Sequence, residues 1–144
     1  MHYYACMSSS LPSFWKHFGL KDTMPRRAVL HALEIARKPL SIQQVHDRLE
    51  AGASSIGIVT VYRVMRAFVK AGLVHEHPIE GTFSVCSMPD AEGHHVLVHC
   101  HSCGSVREAQ DAELCRREDK IAKRLGFHSL RHVSELTGIC SRCF

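Results

Sequence analysis

The sequence predicts an α+β protein: an N-terminal winged helix-turn-helix domain, then a small α/β domain with an antiparallel sheet and a set of four cysteines. Three observations carry that prediction. Apolar residues recur at helical spacing in three successive segments before Gly72, and two short extended stretches follow around Glu80-Gly81. Beyond Pro89 the pattern changes to short strands and one helix. Two C-x-x-C pairs, Cys100-His-Ser-Cys103 and Cys140-Ser-Arg-Cys143, fall in that second part.

The elements follow in order. Residues 1 to 20 read as a loose lead-in and a short amphipathic piece, Phe14 to Phe18, with no evident role. From Met24 to Arg37, Val29, Leu30, Leu33 and Ala36 form a helical stripe; Pro25 is tolerated in the first turn and Pro39 closes the segment. Ser41 with Gln44 makes a capping-box pattern for a second helix whose inner stripe is Ile42, Val45 and Leu49. A Gly/Ala/Ser-rich loop, Ala51 to Gly57, leads into a third helix over Ile58 to Lys70, ended by Gly72. Leu73 to Ile79 and Thr82 to Cys86 then make a hairpin, so three helices are followed by a wing. In the second part, Val96 to Cys100 and Ser105 to Ala109 read as strands around a tight turn, Asp111 to Leu125 as a helix stopped by Gly126, and Phe127 to Leu136 as a final extended segment.

Bulk properties narrow the function classes. A chain of 144 residues with 45% hydrophobic content can build one domain or two small ones. It has no apolar run of eighteen residues and Met1 to Ser10 lacks a signal-peptide pattern, so the expectation is a cytoplasmic protein with no membrane partner. Residues 1 to 79 hold ten Lys/Arg against five Asp/Glu, whereas residues 80 to 144 hold eight against nine. Only the first part has the electrostatics of a polyanion binder.

Seven cysteines in a reducing compartment point to metal or catalysis rather than to a disulfide framework. The spacing decides between them. Two residues between cysteines let a tight turn aim both sulfurs at one point, and two such turns complete the tetrahedral S₄ shell of zinc at ~2.3 Å per bond. Gly104, directly after the second sulfur, permits that turn to close. The alternatives are dithiol chemistry of the thioredoxin kind, which places the pair at a helix N-terminus, and an iron-bound S₄ site.

On the third helix the apolar stripe Val61, Val64, Met65, Phe68 and Val69 leaves Tyr62, Arg63, Arg66 and Lys70 on the opposite side. Such a face is often only solvated. Behind a helix pair and before a hairpin, it reads instead as a recognition helix whose first residues, Thr60, Tyr62 and Arg63, meet base edges in the major groove of double-stranded DNA. Arg66 adds a basic contact, and Arg26, Arg27 and Lys70 are suited to phosphates.

With these motifs in hand, the sequence resembles the ferric uptake regulator family from Thr23 onward. The elements that carry the resemblance are Pro25-Arg26, Thr60-Val61-Tyr62-Arg63, Ala71-Gly72-Leu73-Val74, Ile79-Glu80-Gly81, His94-His95, Cys100 to Gly104 and Gly138 to Cys143. The resemblance implies a non-enzymatic, metal-dependent repressor that binds a pseudo-palindromic operator as a homodimer through its second domain, with no small organic substrate. Domain limits follow as 1–79 for DNA binding, 80–92 for the wing end and hinge, and 93–144 for zinc binding and dimerisation.

Within the family the chain is most similar to the zinc uptake regulators. Their sensory ligands correspond to His75, Cys86, one of His94 and His95, and Glu108, which implies a regulatory Zn²⁺ beside the structural one. The iron and peroxide branches carry histidines where this chain has Leu40 and Leu97. His132 matches a further metal-binding histidine of many relatives, whereas Cys6 and Cys115 match nothing. Competing readings keep the fold and change the signal to iron, manganese, nickel or peroxide, or replace DNA binding by thiol oxidoreduction or by a zinc-stapled protein-binding module.

Overall fold

The structure, a computed structural model, describes residues 11–78, 80–90, 95–128 and 134–144. Two compact units divide the chain, one ending at Pro89 and the other running from Asp90 to Phe144. Residues 80–89, expected as wing end and hinge, group with the first unit.

The first unit contains α1 (Leu11–His17), α2 (Met24–Ala36), α3 (Ile42–Ala51), α4 (Ile58–Lys70), β1 (Val74–His77) and β2 (Thr82–Val85). Its helices obey their local signals. Pro25 occupies the first turn of α2, and α2 stops where Arg37 turns left-handed at φ 51° ahead of Pro39. Ser41 caps α3 reciprocally: its hydroxyl accepts from the Gln44 N–H at 3.2 Å, and the Gln44 side-chain oxygen accepts from the Ser41 N–H at 2.8 Å. The buried stripe of α4 is Val61, Val64, Met65 and Phe68, as its spacing predicts.

Phe14 to Phe18 acquire the role the sequence left open. Trp15, 2% exposed, stacks on Phe68 with ring centroids 6.0 Å apart, and Phe14 and Phe18 pack against the same core. A seven-residue helix is too short to show a periodicity of its own.

The wing is an antiparallel hairpin in register Val74↔Val85 to His77↔Thr82. It ends sooner than expected, because β1 stops at His77, before Pro78; Ile79 lies outside the described residues. Gly81 takes φ +62° and donates its N–H to the His77 carbonyl at 2.8 Å, closing the turn. One face of the hairpin, Val74, Phe83 and Val85, joins the core. Leu40, buried, exchanges backbone hydrogen bonds with Phe83 at 3.0 and 2.8 Å and so extends the wing by an isolated bridge.

The second unit contains β3 (His95–Cys100), β4 (Val106–Gln110), α5 (Ala112–Arg124) and β5 (Ser134–Gly138) in a sheet ordered β4-β3-β5. The expectation of an antiparallel sheet holds for β3 with β4, but β5 runs parallel to β3. A parallel neighbour needs a crossover, and α5 lies in that connection. The final strand is also later than the sequence suggests: Phe127 and His128 are outside it, and 129–133 lie outside the described residues. Pairing with β3 fixes its register, since Cys100 opposite Gly138 sets the two cysteine turns side by side. Asp111 caps α5 by accepting from the N–H groups of Glu113 at 2.8 Å and Leu114 at 3.0 Å. Among the described residues no helix is long and apolar enough to cross a membrane.

Candidate metal centre and nucleic-acid interface

The four cysteines of the two C-x-x-C pairs converge. Their sulfurs all lie within 4.8 Å of one another, and Cys103 Sγ is 3.8 Å from Cys140 Sγ. Ligands on a tetrahedron with ~2.3 Å bonds are about 3.8 Å apart, so the group fits a zinc ion. Each pair sits in a tight turn at a strand end, not at a helix N-terminus. The Gly104 N–H donates to the Cys100 carbonyl at 2.8 Å and the Cys143 N–H to the Cys140 carbonyl at 2.9 Å. Gly104 has φ +68°, the conformation its position after the second sulfur requires. Between the turns, the His101 N–H donates to the Gly138 carbonyl at 3.0 Å.

Electrostatics prepare the sulfurs for a cation. The Cys140 N–H, donating to Cys100 Sγ at 3.3 Å, is the main cause that draws the Cys100 thiol down to about 6. The Arg142 N–H draws Cys140 down in the same way. Cys143 is pushed up to about 12, first by its contact with the Cys140 thiol and then by Cys103. Crowded thiols resist ionising together, and a bound divalent ion removes that opposition. All described cysteines are free of disulfides.

The expected sensory residues are positioned within each unit separately. In the first, alternation along the hairpin sets His75, His77, Ser84 and Cys86 on the face opposite Val74 and Phe83. His77 Nε2 lies 2.8 Å from Ser84 Oγ, which places both on that face. Cys86 is 1% exposed, and its N–H donates to the Leu73 carbonyl at 2.9 Å. In the second unit His95 Nδ1 contacts Glu108 Oε1, with both side chains 7% exposed. Glu108 is therefore no solvated strand charge. His94 and His132, the other candidates, lie outside the described residues.

On α4, Thr60, Tyr62, Arg63 and Arg66 are all exposed, Tyr62 by 52%. Arg66 is not wholly at liberty, because its Nη1 pairs with Glu76 Oε2 of β1 at 2.7 Å. Arg27 is held by the Asp22 carboxylate through Nε at 2.6 Å and through a second contact from Nη2, which keeps that carboxyl below its usual range. Arg26 donates to the Lys21 carbonyl at 2.6 Å. The sequence did not single out Val59, exposed by 61% in the first turn of α4. Its place outside the apolar stripe was the available signal.

Comparison with known proteins agrees with this architecture. The Ferric uptake regulator family matches residues 17–137. The ferric uptake regulation protein of Legionella pneumophila is 40% identical over 89% of this chain and 94% of its own length. Among solved structures, holo XcZur superposes with a TM-score of 0.79 at 28% identity, over 87% of each chain. A zinc uptake regulator complexed with zinc and DNA reaches a TM-score of 0.83 over 91% of this chain and 88% of its own, and at 23% identity that likeness speaks to fold alone. Three helices and a wing, a sheet ending in four convergent thiols and these likenesses have one conclusion: the chain belongs to the ferric uptake regulator family of metal-responsive transcription regulators.

Proposed function

We propose that the chain is a zinc-responsive repressor that binds operator DNA as a homodimer, with one structural zinc on Cys100, Cys103, Cys140 and Cys143 and a regulatory zinc on His75, Cys86, His95 and Glu108. The observation that carries the choice of signal is the chemistry of the donors. Cys86, a buried thiol on the same hairpin face as His75, favours zinc, whereas iron sites prefer nitrogen and oxygen throughout. Leu40 and Leu97, both buried, offer no ligand where the iron branch has histidines.

His75, Cys86, His95 and Glu108 would hold the regulatory ion, which would supply a cross-link between donors from distant parts of the chain. His75 and Cys86 belong to the unit that carries α4, and His95 and Glu108 to the unit that carries the sheet. Joining them would favour one arrangement of the recognition helices in a dimer, and half-sites about one helical turn apart, ~34 Å, would select that arrangement. Arg63 is exposed where a guanidinium can grip guanine O6 and N7, and Tyr62 and Val59 present apolar surface to thymine methyl groups. Exposed apolar side chains on the second unit, Ile121, Leu125, Phe127, Leu136 and Ile139, are suited to burial against a second copy.

The test is a DNA-binding titration against free Zn²⁺, using a duplex selected from a random pool by the metal-loaded protein. Zinc-dependent binding that is lost in Cys86→Ser, with the cysteine-held zinc still present, is the expected result. Arg63→Ala should cost about 1 to 3 kcal/mol of base discrimination, and unchanged selectivity would remove Arg63 from reading bases. A second reading, response to ferrous iron, is favoured by the Legionella relative's identity as a ferric uptake regulation protein. It predicts binding driven by Fe²⁺ and indifferent to Cys86→Ser.

A further inference from the structure

The sheet face that carries His95 also carries a second histidine and a second carboxylate. Alternation along β3 places His95, Leu97 and His99 on one side. Leu97 pairs with Glu108 on β4 and with Glu135 on β5, so glutamate, leucine and glutamate form a row across three strands. The two histidines stand two residues to either side of that leucine. His95 closes on Glu108, and His99 faces Glu135.

The second pair differs from the first in one respect. His99 Nε2 is 3.7 Å from Glu135 Oε1, with the side chains 9% and 13% exposed. A direct N–H···O bond closes to about 2.7–3.2 Å. Two ligands of one tetrahedral zinc, with bonds of ~2.0–2.2 Å, stand about 3.4 Å apart. The separation is therefore too wide for a direct hydrogen bond and close to the spacing that a shared ion imposes. Glu108 and Glu135 are both shielded from water and share one face. Imidazole with carboxylate is a donor pair suited to zinc and to other divalent first-row metals.

We propose that His99 and Glu135 form half of a further divalent-cation site, free of sulfur and distinct from both the four-cysteine centre and the set His75, Cys86, His95 and Glu108. Lacking a thiolate, it fills after the other two and registers a higher free-metal level. It goes beyond the zinc-repressor reading and does not depend on it.

The experiment titrates the purified full-length protein, its cysteine-held zinc retained, with Co²⁺ alone while absorption and bound metal are recorded. Cobalt at the set containing Cys86 gives a thiolate-to-cobalt charge-transfer band; cobalt on His99 and Glu135 adds only ligand-field absorption. After the charge-transfer band saturates, the wild type should take up a further equivalent per chain. Glu135→Gln and His99→Ala should each lose that equivalent and keep the band, while Cys86→Ser should lose the band and keep the equivalent. Equal metal uptake by the wild type and Glu135→Gln overturns the proposal. Glu135→Gln is isosteric, and an unchanged melting temperature ties its loss of metal to ligation rather than folding, so it decides the matter even where His99→Ala fails to fold. No charge-transfer band in the wild type, with an equivalent still lost in Glu135→Gln, refutes the Cys86 assignment and leaves this site standing.

Discussion

The two units of this chain are held together by different physics. The first buries a continuous cluster from Trp15 to Phe83, drawing on all four helices and both wing strands. Among the described residues the second buries only Val96, Leu97, Cys100 and Ala122 as apolar side chains, and α5 leaves Ile121 exposed on its apolar side. A core that small supplies little hydrophobic stabilisation at ~25 cal/mol per Å². Four convergent sulfurs offer a replacement. Where a chain of some fifty residues cannot exclude enough water, a metal ion can close the fold instead.

The largest effect should come from removing the zinc proposed for the four cysteines. Structural zinc binding is worth roughly 10–16 kcal/mol in small domains. Cys103→Ser, or exhaustive chelation, should abolish amide protection in β3, β4 and β5 and leave α2 to α4 protected, read by hydrogen exchange. Protection retained in the sheet without metal would show that the contrast between the units is mistaken.

Truncating the hydrocarbon core tests the other side. Phe68, fully buried and stacked on Trp15, should cost ~3–5 kcal/mol when changed to Ala, with loss of the Trp15 near-ultraviolet signal and an unchanged zinc content. A smaller loss, about 1 kcal/mol, is expected for Ser41→Ala, because one end of the α3 capping box disappears. Chemical denaturation of the first unit's transition measures both.

The smallest effect concerns pH in the second unit. Hydrogen bonds from the Leu114 and Glu113 N–H groups hold the Asp111 carboxyl below its ordinary value. Its folded pKa lies under its unfolded one, so the stabilisation is present above the unfolded carboxylate range and fades as pH falls through the folded value. Asp111→Asn keeps an acceptor at the cap and should flatten that part of the acid dependence of α5 helicity. An identical acid profile in the variant would assign the dependence to other carboxylates.

Much of this contrast was legible in the residues. Helical periodicity with Pro25, Ser41 and Gly72 marked the three main helices, since those signals act within a turn or two of backbone. The C-x-x-C pairs identified the four sulfurs that converge, because two-residue spacing is itself a geometric constraint. Less was legible where the deciding partner is remote. The place of Trp15 depends on Phe68, the restraint on Arg66 depends on Glu76, and the pairing of Glu135 with His99 depends on strand register.

By itself, then, the sequence determined what local chemistry dictates: helix stripes, caps, turns, the basic face of α4 and the sulfur pairs. Tertiary structure alone decided which distant residues became neighbours, through the parallel placement of β5, the row Glu108, Leu97 and Glu135, and the burial of Glu108 beside His95. The physical reason is register. A strand's side chains alternate faces whatever its partner, but only pairing with a particular neighbour fixes which carboxylate meets which imidazole.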